Sequence, residues 1–221
     1  PETGRVVDRN SGVRSAEPPK KDQGTRRQRC PKKASETSKT VKNPGWKCAV
    51  SASAETVLAW IGLGGNLGEP HSAISNALAQ LDDDSGIDVE TVSSFYRTAP
   101  IGITGQPDFI NAVARIRTAD EPQVLLEKLL TIEAHLGRVR TEQQFGPRVI
   151  DLDLLLFGGV QMDTARLTLP HPRMHLRRFV LEPLFELEGD LTLPGGRALS
   201  HYLAQARDQS AVLDDAVKIT D

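Results

Sequence analysis

Apolar residues are scattered without pattern up to about position 55, and from there they fall into regular arrangements. "TVLAWIGLGG" (56–65) is a short apolar run closed by glycines, which predicts a first strand and a loop. "EPHSAISNALAQL" (69–81) carries Ile74, Ala77, Leu78 and Leu81 on one helical face, with Pro70 suited to a first turn. "IDVETVSSFYRT" (87–98) predicts a second strand. The Gly- and Pro-rich "APIGITGQPD" (99–108) predicts a loop, and the alternating "FINAVARIRT" (109–118) a third strand. A second helix is expected with Asp120 as N-cap, Gln123 as its capping-box partner and Pro122 in the first turn. Leu125, Leu126, Leu129, Leu130 and Ile132 form its apolar face, and Gly137 ends it. "RVIDLDLLLFGG" (148–159) predicts a fourth strand. The order β-α-β-β-α-β is that of an α+β, ferredoxin-like sandwich, an antiparallel sheet with helices on one side. "LRRFVLEPLFEL" (176–187) and "ALSHYLAQAR" (198–207) add C-terminal helical segments.

The 221-residue chain has a net charge of −2, but its two parts differ sharply. Residues 1–55 hold 13 Lys+Arg against 6 Asp+Glu, a balance of +7, whereas residues 56–221 carry −9. The polar, Pro-containing N-terminal part is expected to be a disordered basic extension, and residues 56–221 the folded domain. A targeting segment and an over-extended reading frame both fit that extension. An acidic body argues against nucleic acid as a partner, since such binding needs basic surface. No segment reaches membrane-spanning length. Cys30 and Cys48 sit in or beside the extension and form neither a disulfide framework nor a metal site.

The fourth strand poses the chemical question. Residues two apart in a strand share a face, so Asp151 and Asp153 stand together while Leu152, Leu154 and Leu156 face the core. Adjacent carboxylates repel unless a cation neutralises them. Arg138, Arg140 and Arg148 lie upstream, and His171, Arg173, His175, Arg177 and Arg178 downstream. Hard oxygens suit Mg²⁺, and guanidinium forks suit phosphate oxygens. Together they form a kit for phosphoryl-type transfer, without the G-x-x-x-x-G-K-[ST] of a P-loop. The alternative from this pattern is a non-catalytic ferredoxin-like module that binds a nucleotide or nucleic acid.

"IGLGGNLGEP", "SSFYRTAPIG", "QPDFINAV", "IEAHLGRVR", "FGPRVIDLDLLLFG" and "LTLPHPRM" fall in order across roughly residues 57–190. In that order they resemble the motifs of the 6-hydroxymethyl-7,8-dihydropterin pyrophosphokinases of folate biosynthesis. The resemblance implies a ferredoxin-like enzyme that moves the diphosphate of ATP onto the pterin's hydroxymethyl oxygen, leaving AMP, with two Mg²⁺ ions. A cytoplasmic monomer is expected. By the same resemblance Asp151 and Asp153 hold metal, and Arg138 and Arg148 contact the transferring phosphates. His171 and Arg177 hold ATP phosphates, and Arg166 and Thr168 lie near the nucleotide. Thr98, Pro100, Ile101 and Asn111 read the pterin edge, with Phe179 against one face of the ring. Thr141, Gln143 and Gln144 depart from the more basic loop of many members, and Phe109 stands where tyrosine is common.

Overall fold

A computed structural model describes residues 55–100, 105–138 and 146–215. The basic extension through residue 54, Ile101 and the Thr141–Gln144 stretch lie outside the described residues. Strand β1 (Val57–Gly65) leads into helix α1 (Pro70–Asp82), and then β2 (Ile87–Val92) and β3 (Tyr96–Thr98) precede β4 (Phe109–Thr118). Helix α2 (Pro122–His135) is followed by β5 (Asp151–Phe157) and a hairpin of β6 (Met162–Asp163) and β7 (Thr168–Leu169). A 3-10 turn (Met174–Leu176) enters α3 (Arg178–Glu188). A hairpin of β8 (Thr192–Leu193) and β9 (Arg197–Ala198) follows, then α4 (Leu199–Gln205) and β10 (Val212–Leu213).

The main sheet is antiparallel in the order β10-β3-β4-β1-β5, with β2 also paired to β4. The expected second strand is therefore two strands lying end to end along β4. Ser93 divides them: its hydroxyl accepts the Val113 amide at 3.0 Å, while its own amide donates to the Val113 carbonyl at 2.9 Å. A side chain thus stands in for one backbone rung of the ladder.

Alternation along β1 and β4 sends side chains to two cores. Ala59, Ile61, Leu63, Ala112 and Ala114 pack with Ile74, Ala77 and Leu81 of α1 and Leu125 and Leu129 of α2. Trp60, Val113, Leu155 and Leu156 pack instead with Val180, Leu181 and Leu184 of α3 and Leu199 of α4. Helices accordingly cover both faces of the sheet, a correction to the expectation of one covered side. The C-terminal segments are not peripheral, because Trp60 and Val113 would otherwise lie open to water.

Two local expectations also change. Leu156 does not share a core with Leu152 and Leu154, because the β1–β5 register shifts between Trp60 and Ile61 and Leu155 is the extra residue. Helix α2 begins after Glu121, without a side-chain cap, so Asp120 and Gln123 form no capping box. Asp120 instead meets Lys128 at 2.7 Å, a cation that Asp84 also engages at 2.8 Å. Gly137 does close α2, at φ +87°, the left-handed region that suits glycine.

Candidate active site

Strand register builds the site before any side chain is considered. Gly64 of β1 is paired with Asn111 on β4 and with Asp151 on β5, and Gly62 with Val113 and Asp153. Directly paired residues point to the same face, so Asn111 and the two aspartates rise on either side of a bare glycine floor. Strand spacing separates Asn111 from Asp151 by roughly 10 Å. Gly64 leaves room for the Asn111 amide: a Cβ would lie 2.9 Å from Asn111 Oδ1. Gly65 is tighter still, since its Cβ would lie 2.3 Å from the Val149 carbonyl oxygen.

Around the aspartates stand three arginines. Asp151 accepts Arg138 on one carboxylate oxygen and Arg148 on the other, the latter at 2.5 Å. Arg177 approaches Asp153 at 3.5 Å. Asp153 is half-buried, and loss of hydration together with the neighbouring Asp151 charge pushes its carboxyl up to about 6, despite Arg177. Burial works to lower the Arg138 pKa, but Asp151 and Glu133 overcome it and hold the guanidinium charged. His171 is pushed down to about 4 by burial and by Arg177 and Arg173, so its ring is neutral at pH 7. Its Nδ1 accordingly accepts the Arg173 amide, at 3.2 Å.

The other expected residues divide. Asn111 and Thr98 are both buried and bonded to each other, Asn111 Nδ2 donating to Thr98 Oγ1 at 2.9 Å and towards the Tyr96 carbonyl at 3.4 Å. Pro100 is half-buried at the head of the following loop. Phe179 lies under the Arg177 guanidinium, 5.5 Å from the ring centre, and Phe109 under that of Arg148 at 5.9 Å. Arg166 and Thr168 are not drawn into this cluster. Arg166 is exposed and meets Glu127 at 3.2 Å, and Thr168 bonds Asp163 at 2.8 Å within the β6–β7 hairpin.

Sequence reasoning passed over two residues that hold the site in place. Glu133, 2% exposed, comes from α2 to accept Arg138 and the Leu152 amide on one oxygen. Among the described residues strand β5 ends the sheet, so that amide has no strand partner there on its outer side. Asn66 ties three segments together. Its side-chain oxygen accepts the Arg148 amide at 2.9 Å, and its Nδ2 donates to the Pro107 carbonyl at 3.0 Å. Only its place in the "GGNLG" turn could have marked it, and that reads equally as turn chemistry.

The model of the 7,8-dihydro-6-hydroxymethylpterin-pyrophosphokinase family matches residues 60–189, more than half the chain. The chain belongs to this family. Among curated relatives, the 2-amino-4-hydroxy-6-hydroxymethyldihydropteridine pyrophosphokinase of Haemophilus influenzae is 41% identical over 156 residues, covering 71% of this chain and 97% of the relative. The enzyme of the same name from Methylorubrum extorquens is 45% identical over 147 residues, covering 66% and 92%. A crystal structure of Plasmodium falciparum HPPK-DHPS, wild type with pteroate, superposes with a TM-score of 0.55 at 13% identity. It matches 68% of this chain and 42% of the solved one, so this chain spans under half of that protein's length; the likeness establishes a common α+β fold. Every element of the glycine floor and the aspartate–arginine cluster lies inside the 60–189 match.

Proposed function

We propose that this chain transfers the diphosphate of ATP to 6-hydroxymethyl-7,8-dihydropterin, releasing AMP and the pterin diphosphate for folate synthesis. The hydroxymethyl oxygen attacks the β-phosphorus, the bond from that phosphorus to the oxygen bridging to the α-phosphate breaks, and the hydroxyl proton is lost. The row Asn111–Gly64–Asp151 carries this reading. It places an amide suited to a pterin edge and a carboxylate–guanidinium cluster suited to a triphosphate about two strands apart, on one face.

Asp151 and Asp153 fit Mg²⁺. Among the described residues no group of three or more His, Cys, Asp or Glu could hold a metal. Two carboxylates nonetheless suffice for an ion that keeps its waters and shares its shell with phosphate. When bound, two Mg²⁺ ions supply positive charge that stabilises the phosphate oxygens.

Arg138 and Arg148, which share Asp151, present guanidinium forks to the moving diphosphate. His171 and Arg177 hold the triphosphate, the neutral imidazole offering an N–H from Nε2. Arg166 and Thr168 close on the nucleoside from the β6–β7 hairpin. Thr98, Pro100, Ile101 and Asn111 read the pterin edge, and Phe179 packs on its ring. The frame is ferredoxin-like with C-terminal helical additions, and the enzyme works as a cytoplasmic monomer on small molecules, not nucleic acid. Among the described residues no helix is long and apolar enough to cross a membrane. Incubation with Mg²⁺, ATP and the pterin alcohol tests the reading: AMP must appear in step with pterin consumption, and ADP as the nucleotide product would reject it.

A further inference from the structure

A second concavity opens between the 170–175 segment and the β8–β9 hairpin with α4. Its volume is about 490 Å³, within the range of small-molecule sites. Met174 and Leu193, both buried, form its apolar floor. His175, Arg197, His201 and Tyr202 stand around it, and none of its eleven described lining residues is acidic.

Arg197 is poorly matched there. Its guanidinium donates to His201 Nε2 at 2.6 Å, and Gln205 Nε2 reaches the same ring nitrogen at 3.2 Å. Arginine has donors only, so in this contact the ring nitrogen is the acceptor. Two donors therefore compete for one lone pair, and the positive charge meets no carboxylate among the described residues. An oxyanion is the natural partner of such a fork. Beside it the Tyr202 ring lies between His175 and His201, with centroids 5.6 and 5.4 Å away. These rings give the pocket a flat, partly apolar wall.

We propose that this pocket is a second binding site, for a small organic anion whose phosphate or carboxylate meets Arg197 and whose ring lies against Tyr202. It shares one lining residue, His171, with the proposed triphosphate site, and it stands whether or not the chain proves to be a pyrophosphokinase.

Phenyl phosphate and benzoate are the probes, titrated into the full chain while the imidazole proton resonances of His175 and His201 are followed. Saturable shifts at both histidines, with a Kd of about 1 mM or tighter, are expected with at least one probe. The tighter probe tells phosphate from carboxylate. Arg197→Ala should weaken binding about tenfold or more, with Arg197→Lys intermediate and Arg177→Ala without effect. Arg197 is exposed, so the variant should melt near wild type; should it not, Arg197→Gln replaces it. Absence of saturable shifts, indifference to Arg197, or dependence on Arg177 in its place would each overturn the proposal.

Discussion

Glu133 holds one carboxylate oxygen 2.8 Å from the backbone amide of Leu152, the residue between the two aspartates. The same oxygen accepts Arg138, whose guanidinium also grips Asp151. One buried side chain thereby fixes the edge strand, Arg138 and, through it, Asp151. Glu133→Ala should cost about 3 kcal/mol of stability, because it removes both contacts and leaves the amide unsatisfied. Glu133→Gln keeps an acceptor for Leu152 and should lose clearly less. Urea unfolding of the two variants measures the difference, and equal losses would deny the amide contact its part.

Gly64→Ala should act on Asn111 without touching it in sequence. The new Cβ would sit 2.9 Å from Asn111 Oδ1, so the amide must turn away from its present position. Losing one well-placed hydrogen bond corresponds to about tenfold weaker pterin binding. ATP binding should change little. Calorimetry with each ligand separately checks this, and unchanged pterin affinity would mean that Asn111 does not read the ring.

Arg138→Ala and Arg148→Ala should damage the chemical step more than nucleotide binding. Each arginine is one of two on Asp151, so either loss leaves that carboxylate paired; Arg148→Ala should melt near wild type, whereas Arg138→Ala also strips the buried Glu133 of its guanidinium and should melt lower. A charge-assisted contact made to the moving diphosphate is worth about 3 kcal/mol, or roughly a hundredfold in rate. Lysine should restore only part of it, lacking the two-pronged fork. Single-turnover rates set beside ATP affinities decide the matter, and equal losses in both would assign these arginines to binding alone.

The aspartate pair was legible because strand periodicity is rigid: two residues apart means one face, and Asp151 and Asp153 obey it. Helix α1 was legible from its apolar spacing and Pro70, with Ile74, Ala77, Leu78 and Leu81 all buried as expected. Leu156 was misread because a bulge at Leu155 reverses the alternation, and nothing in a run of leucines marks where an extra residue falls. Asp120 was misread because a carboxylate before a helix suits capping and ion pairing alike, and Lys128, a turn or two along α2, took it. Glu133 escaped notice because a charged residue near a helix end reads as a solvated position. Its burial depends on the edge strand beside it, a contact between segments that periodicity within either one does not contain.

Acid should weaken the fold through His171. Its folded pKa is about 4 against roughly 6.5 for a free imidazole. Above pH 6.5 the ring is neutral in both states and contributes nothing to pH dependence. As pH falls towards 4 the unfolded chain takes up the proton first, so stability drops, by at most about 3 kcal/mol, and then levels off. Asp153, raised to about 6, works in the opposite direction over much of the same range, because the folded state holds its proton more tightly. Comparing His171→Gln with wild type isolates the histidine. The variant should lose less stability than wild type between pH 7 and pH 5, and parallel losses in urea melts would contradict the depressed value.

Phosphorus NMR of one turnover, run side by side on wild type and Asp153→Asn with ATP, Mg²⁺ and 6-hydroxymethyl-7,8-dihydropterin, reaches the central claim directly. Wild type should convert the three ATP resonances into one AMP signal and two coupled signals of a pterin diphosphate, in equal amounts. Asp153→Asn, folded by its thermal melt, should leave ATP intact on that timescale. ADP with a pterin monophosphate, or full turnover by the variant, would contradict diphosphate transfer at this aspartate pair.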